Sequence, residues 1–481
     1  MAFEIVIGLE VHAELATRSK IFCSCSSERG AEQNRSVCPA CAGMPGMLPV
    51  INRKVIDLAM TAGMLLNCQI NRVISFDKKN YYYPDLPNAY QITQWFSPIC
   101  RDGFINIDTQ DEPRKIGIKQ IHMEEDAGKL IHDSVTGTSL VDFNRTSVPL
   151  IEIVSQPDLR SAGEVTAYLH RLRALLRYGG ISQARWEEGS IRCDVNISVR
   201  REGAAELGVR TEMKNMNSLS AIERAIEYES TRHIEAIEYG TERLIQETRG
   251  WDDAQGCSFS MRHKETAADY RYFPDPNLMP IRIDENWIKR IQSALPETPE
   301  LRAGRYIQAY ALSKPDCELL VSSPAIADLF EAVAEKTGLP RETAAWIISD
   351  LFRIARRLKT NLDDISISSE KFADLIIMVA NNEINRAAGR KALDMLFEHG
   401  TDPRDFARDN NLAINKDTGD MEQVVRQILR DHADIVSDYV GGRVKARQAL
   451  VGAVMRALKG KGDPAIVNHI LDDAIAKLPS E

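Results

Sequence analysis

No uninterrupted apolar run in this sequence approaches the ~20 residues that a membrane-spanning helix requires. The first residues enter a strand-like pattern with no basic n-region, so the expectation is a cytoplasmic protein with no membrane partner. Global basicity is lacking as well: 60 Lys and Arg face 69 Asp and Glu, a net charge of −9. Any nucleic-acid contact must therefore come from local basic patches and not from a whole-molecule field. The nine cysteines are an odd number in a chain of 481 residues, which argues for thiols or metal ligands over a disulfide framework. A phosphate-binding P-loop, a Rossmann glycine fingerprint and a nucleophile elbow are all missing, which removes the common nucleotide and acyl-transfer classes but not phosphate chemistry itself.

What is present begins at once. In Phe3 to Leu15, FEIVIGLEVHAEL, every odd position is apolar, a period of two that predicts a strand. Its even positions put Glu10, His12 and Glu14 on the opposite face, where a rigid element carries groups suited to a hard cation or to acid–base work. The pattern recurs. Lys115 to Asp126 (KIGIKQIHMEED) sets His122, Glu124 and Asp126 on one parity and Ile121, Met123 and Glu125 on the other; three consecutive acids there need a cation. Val148 to Val154 places Glu152 in an otherwise apolar run, and Arg192 to Val199 alternates Asp194 and its polar neighbours with Cys193, Val195, Ile197 and Val199. Several strands with an acid-rich face over an apolar one predict an open sheet cradling a site, with helices on its back.

Cys23, Cys25, Cys38 and Cys41 form two tight pairs, the donor set that tetrahedral zinc takes, and four thiolates leave no open position for a substrate, so a structural role is expected. Four reduced thiols on a surface loop would read the same way. Phe76 to Tyr90 is dense in aromatics, lysines and prolines and is expected to be an ordered loop in which Lys78, Lys79 and three tyrosines meet a base or a phosphate. Gln246 to Asn277 also reads as a loop. Helices are expected at Asn52 to Leu66 and Ser161 to Tyr178. Between Pro280 and Pro299 the alternation gives way to helical spacing, which sets out a catalytic cradle (1–292, with the cysteine insertion at 23–41), a helical domain (293–405) and a helical tail (406–481). The tail carries Arg443, Lys445, Arg447, Arg456, Lys459 and Lys461 with no acid between Asp438 and Asp463, a candidate contact for a phosphate backbone. Residues alone thus point to an α+β, metal-dependent phosphate enzyme with a nucleic-acid-binding tail.

The blocks IGLEVHAEL, FDKKNYYYPDLPNAYQI, IHMEEDAGK, PLIEIVSQPD, EEGSIRCDVNISVR, MKNMNS, QETRGWDD and DYRYFPDPNL, in this order, resemble the B subunit of the aspartyl/glutamyl-tRNA amidotransferase, and KARQALVGAVMRALKGKGDP resembles that family's tRNA-contacting tail. The resemblance implies an antiparallel-sheet cradle followed by helical domains. It implies a ligase that phosphorylates the side-chain carboxylate of Glu-tRNA(Gln) or Asp-tRNA(Asn) with ATP and amidates it with ammonia channelled from a glutaminase A subunit, in a heterotrimer with a small C subunit. It also implies Glu10, His12, Glu125 and Glu152 as Mg²⁺ and active-site ligands, with Glu124 and Asp194 beside them, and Lys79 and Tyr81 toward the ATP phosphates or the aminoacyl end. Some relatives lack the cysteines, so zinc is expected here without being essential to the reaction. The alternative is a noncatalytic, zinc-bearing tRNA-binding scaffold of the same complex. We expect one zinc per chain by metal analysis, lost in Cys38→Ser; undiminished zinc in that variant would refute the placement.

Overall fold

In the computed structural model the described residues are 2–109, 112–133, 135–263, 269–414, 418–440, 443–458 and 462–476. The chain divides into two compact units, residues 1–299 and 300–481. The class is α+β, as expected.

The first unit is built on one nine-stranded sheet. Its strands run in the order Cys257–His263, Glu247–Asp252, Thr211–Lys214, Ile191–Arg201, Phe3–Glu14, Pro149–Ser155, Arg114–Glu125, Cys100–Ile107 and Gln69–Ile70. All neighbours are antiparallel except Thr211–Lys214 with Glu247–Asp252, which are parallel. Phe3–Glu14 sits near the middle, and its alternation decides which way everything faces. Ile7, Leu9, Val11 and Ala13 are each at most 1% exposed and pack with Ile151, Ile153, Cys193, Val195 and Ile197 from the flanking strands. Three helices cover this apolar face: Arg53–Leu65, Ala162–Tyr178 and Leu219–Tyr239, through residues such as Ile56, Tyr168, Leu172 and Ile222. Each starts where its sequence provides a cap, since the Asn52, Ser161 and Ser218 side chains accept from the backbone N–H of Lys54, Glu164 and Ala221. The polar face is left open.

Two expectations are corrected. Phe76 to Tyr90 is not only a loop: Asp77–Asn80 pairs with Tyr90–Thr93 and with Phe273–Pro274 in a separate three-stranded sheet. Pro84 and Pro87 fill only the tip, while the buried Asp77 carboxylate accepts from the N–H groups of Trp95 and Phe96 at 2.7 and 3.0 Å and locks the base. Likewise Gln246 to Asn277 contains two strands of the main sheet, Glu247–Asp252 and Cys257–His263. Glu247 and Ser258 are buried there because they pair, Glu247 with the half-buried Arg249 at 2.8 Å and Ser258 Oγ with Glu229 at 3.0 Å.

The second unit is helical. Pro324–Thr337 starts at Ser323 and stops at Gly338, whose φ of +63° suits glycine. The apolar stretch from Phe372 to Phe397 is two helices, Ser369–Ala380 and Arg386–His399, because the asparagine-rich NNEIN breaks it: Asn382 adopts φ +52°, and Asn385 caps the second helix through Ala388 N–H. Met421, Val425, Leu450, Val454, Val467 and Leu471 form a distinct buried cluster in the C-terminal helices. Among the described residues no helix is long and apolar enough to cross a membrane.

Gly103, on the Cys100–Ile107 strand, has no room for a side chain: a Cβ there would lie 2.6 Å from the Leu66 carbonyl oxygen and 2.2 Å from Cys68 Sγ. Gly103→Ala should destabilise the first unit by about 1–3 kcal/mol, since backbone must move. A urea midpoint equal to wild type would show that the end of the Arg53–Leu65 helix yields freely.

Candidate active site

Antiparallel register sets the polar face of the sheet in rows. His12 lies opposite Glu152 on one side and Arg192 on the other, Glu152 lies opposite His122, and Glu10 lies opposite Asp194. Because directly opposed side chains on one face stand within contact distance, residues far apart in sequence become neighbours.

The first group is His12, Glu124 and Glu152, with His122 at its side. His12 Nε2 is 3.4 Å from Glu124 Oε1 and 3.2 Å from Glu152 Oε2; His122 Nε2 is 3.1 Å from Glu152 Oε2. Burial works against charging either imidazole, but the adjacent carboxylates, Glu152 foremost, outweigh it and raise His12 to about 9 and His122 to about 10. Glu152 is half-buried, and against the cost of its desolvation the two imidazoles hold its carboxyl well below its usual range. The second group is Glu10, Asp194 and Glu212. Asn196 Nδ2 donates to Glu10 at 2.9 Å, Lys214 Nζ reaches Asp194 and lies 3.3 Å from Glu212, and Thr248 donates to Glu212 at 2.8 Å. In each group three ligand atoms lie within 4.8 Å of one another, a spacing that suits an oxygen-rich divalent site.

A cavity of about 520 Å³ contains both groups and is walled by Lys79, Trp95, Lys119, Arg210, Tyr270 and Tyr272. Trp95 and Tyr272 stack with centroids 4.5 Å apart. A second hollow of about 390 Å³ shares His12, Lys79, Glu124 and Asp194 and adds Tyr81, Asp126, Arg192 and Asn217. Lys79 Nζ stands over the Tyr270 ring at 4.9 Å and the Tyr81 ring at 5.5 Å, a cation on an aromatic seat at the junction of the two hollows.

Of the residues expected at the site, Glu10, His12, Lys79, Glu124, Glu152 and Asp194 come together, and Tyr81 lines the second hollow. Glu125 does not join them. Its strand parity turns it to the opposite side, where it accepts from Ile92 N–H at 2.9 Å and Ser147 Oγ at 2.6 Å and borders a small cavity with Cys23, Cys41 and Met47. His122, Glu212 and Lys214 line the same cavity although they are not among the residues expected as ligands. For His122 the signal is parity, two positions before Glu124; Glu212 and Lys214 sit on a four-residue strand too short for periodicity to speak.

The four cysteines converge. Cys41 Sγ lies 3.8 Å from Cys38 Sγ and 4.0 Å from Cys25 Sγ, and one sulfur from each of the four lies within 4.8 Å of the others. A tetrahedron of thiolates about 2.3 Å from a zinc ion has edges of about 3.8 Å, so this donor set fits the ion. In the C-terminal helices Val444–Ala457 bears the basic patch: Arg443 pairs with Asp438 at 2.9 Å, Arg447 grips Asp472 at 2.7 and 2.9 Å, and Arg456 is exposed. The Lys445 side chain, Lys459 and Lys461 lie outside the described residues.

Residues 5–289 match the family model of the GatB/GatE catalytic domain, and residues 328–475 match that of the GatB domain. Curated relatives named as the B subunit of aspartyl/glutamyl-tRNA(Asn/Gln) amidotransferase include one from Lachnoclostridium phytofermentans, 45% identical over 475 residues and 99% of both chains, and one from Caldicellulosiruptor saccharolyticus, 47% identical over 481 residues, 99% of this chain and all of the relative. The chain therefore has the catalytic domain of a multi-subunit ligase class. It belongs to the family of aspartyl/glutamyl-tRNA amidotransferase B subunits.

Burial raises the Glu125 carboxyl to about 7, against the lowering effect of its two hydrogen bonds. Between its ordinary 4.5 and 7 the folded chain holds a proton that the unfolded chain has lost, so stability falls as pH rises through that window, by an amount on the order of 3 kcal/mol. Glu125→Gln, an isostere of the protonated acid, should melt above wild type at about pH 8.5 and converge on it toward about pH 4.5. A difference independent of pH in thermal unfolding would show that Glu125 keeps its ordinary pKa.

Proposed function

We propose that this chain is the tRNA-acting half of a glutamine-dependent amidotransferase, which accepts tRNA carrying Glu or Asp in place of Gln or Asn, activates the side-chain carboxylate with ATP, and completes the amide with ammonia. The observation that carries this is the pair of ligand groups, His12–Glu124–Glu152 and Glu10–Asp194–Glu212, side by side in one cavity that also holds cationic and aromatic walls. A carboxylate does not accept ammonia until one oxygen becomes a leaving group, and transfer of a phosphoryl group to it is chiefly a matter of positioning and charge neutralisation.

The six ligands of the two groups would hold Mg²⁺, which when bound neutralises phosphate oxygens and orients them. Lys79, on its tyrosine seat, faces the phosphate or the aminoacyl end, with Tyr81 beside it. Lys119 and Arg210 supply further cations to the wall, and the Trp95–Tyr272 stack offers a π-face for a nucleobase. Arg192, tied to Asp126 at 2.7 Å, borders the second hollow, which suits the aminoacyl end of the RNA. Glu125, expected as an active-site residue, stands on the far side of the same strand and lines neither hollow, so its catalytic role rests on the variant tested below. Zinc at the four cysteines is structural.

The ammonia comes from a separate glutaminase A subunit, with a small C subunit completing a cytoplasmic heterotrimer; the names of the relatives, as subunits of an amidotransferase, support a multi-subunit setting. We divide the chain at 292 and 405 into cradle, helical domain and tail, the last supported by its own buried cluster. Its contact with tRNA rests on Arg456 and the lysines 445, 459 and 461 more than on Arg443 and Arg447, which have acidic partners.

The test is ADP release by the chain reconstituted with its glutaminase partner, with and without Glu-tRNA(Gln) or Asp-tRNA(Asn). Mischarged tRNA should stimulate release, and Glu124→Gln should lower it about a hundredfold or more, because a metal ligand of this kind contributes several kcal/mol. Loss of turnover in Glu125→Ala with tRNA affinity kept supports Glu125 as catalytic; unaltered turnover moves the assignment off Glu125. Absence of tRNA-dependent release in the assembled wild-type complex would favour the noncatalytic scaffold.

A further inference from the structure

Lys20 is fully buried, 0% exposed, although it carries an ammonium group. Its Nζ has three acceptors: the Ser36 carbonyl at 2.8 Å, the Phe143 carbonyl at 3.3 Å and Cys41 Sγ at 3.7 Å. These match the three N–H donors of an ammonium. Among the described residues no carboxylate pairs with it. A buried charge without a counter-charge is costly, and the only atom in its shell able to carry a full negative charge is the cysteine sulfur.

The cysteine cluster has the complementary problem. Four thiolates around one divalent ion leave a net charge of about −2 in a partly buried pocket. Cys41 is the most enclosed of the four, 2% exposed. A neighbouring ammonium halves that excess, and an N–H donated to sulfur fixes the thiolate's orientation, the service that outer partners give to metal ligands generally. The structure assigns Lys20 to this role: it is the counter-ion and outer-sphere hydrogen-bond donor of the four-cysteine metal centre, a positioning residue that orients the Cys41 sulfur toward a soft divalent ion.

The position of Lys20 also ties the centre to the cradle. Its bond to the Phe143 carbonyl and the Ile21 N–H bond to the Ser147 carbonyl at 3.0 Å clamp both ends of residues 143–147, and Ser147 Oγ is the donor to Glu125. Residues 143–147 thereby connect the cysteine centre to the wall behind Glu125. Neither nucleotide nor RNA enters this assignment, so it stands or falls apart from the reaction proposed above.

The experiment uses the full chain loaded with zinc, and in parallel with Co²⁺, comparing wild type, Lys20→Met and Lys20→Arg. Zinc release to a chromogenic chelator should be about 10–100-fold faster in Lys20→Met, the usual effect of losing an outer-sphere partner. The sulfur-to-cobalt charge-transfer band should shift in both variants, because the hydrogen bond on Cys41 is lost or re-aimed, and Lys20→Arg, which keeps the charge, should release zinc at an intermediate rate. Wild-type release with an unmoved band in Lys20→Met overturns the assignment and leaves Lys20 a packing tie. Should Lys20→Met not fold, Lys20→Arg decides by the same two readouts. A wild-type chain that binds no stoichiometric zinc or cobalt also overturns it.

Discussion

The constraint on which the first unit depends is mutual repulsion among carboxylates on one face of a sheet. Antiparallel pairing around Phe3–Glu14 brings Glu10, Glu124, Glu152, Asp194 and Glu212 onto a common surface. Two like charges about 4 Å apart repel by about 4 kcal/mol at a protein-surface dielectric, so such a face would drive its strands apart if left alone. It is held by interleaving. Imidazoles stand beside Glu124 and Glu152, Lys214 reaches both Asp194 and Glu212, and Arg192 meets Asp126. The compensation is local and incomplete, and a partly neutralised, water-accessible hollow is where a divalent cation gains most. The apolar face, packed under three helices, supplies the burial that keeps this arrangement assembled.

How much of this is legible in the sequence follows from what period-two alternation encodes. Phe3 to Leu15 announces its strand and its two faces because each side chain's direction is fixed by sequence position alone. Which strand lies beside which is set by pairing over long separations, so the row His122–Glu152–His12–Arg192 cannot be read in one dimension, although all four residues lie in segments with strand periodicity. The four-cysteine spacing is legible for the opposite reason, since its ligands are local. Reading fails where polar residues are buried. Arg249, Glu247 and Asp77 look like loop chemistry in one dimension and are paired strand residues in three. The asparagines at 381–385 break a helix that the surrounding apolar spacing runs through.

The metal-type centres of this unit differ in kind, and the difference is written in their surroundings. The four cysteines at residues 23–41 converge with a buried lysine behind them and leave no open position, which suits an ion held permanently. The carboxylate and imidazole groups of the cradle have a cavity of about 520 Å³ in front of them, which suits exchange of ligands and charge. Segment 143–147 lies between them, bonded to Lys20 on one side and to Glu125 on the other.

The end of the Arg114–Glu125 strand concentrates the problem, because three acids follow one another at 124, 125 and 126. Side by side on one surface they would be untenable. Strand geometry separates them: Glu124 points to the cradle and two imidazoles, and Asp126 meets Arg192 at 2.7 Å and Arg145 at 3.6 Å. Glu125, between them in sequence, is turned to the other side with only neutral donors, Ile92 N–H and Ser147 Oγ. Two of the three acids are therefore paired with cations, whereas burial pushes the third up to about 7. Glu125, raised by burial, stands back to back with Glu124, which is buried as well but which hydrogen bonding to His122 holds below its usual range, so two adjacent carboxyls on one strand differ in the direction of their shift. One stretch of backbone thus divides three like acids between two environments by nothing more than the alternation of a β-strand.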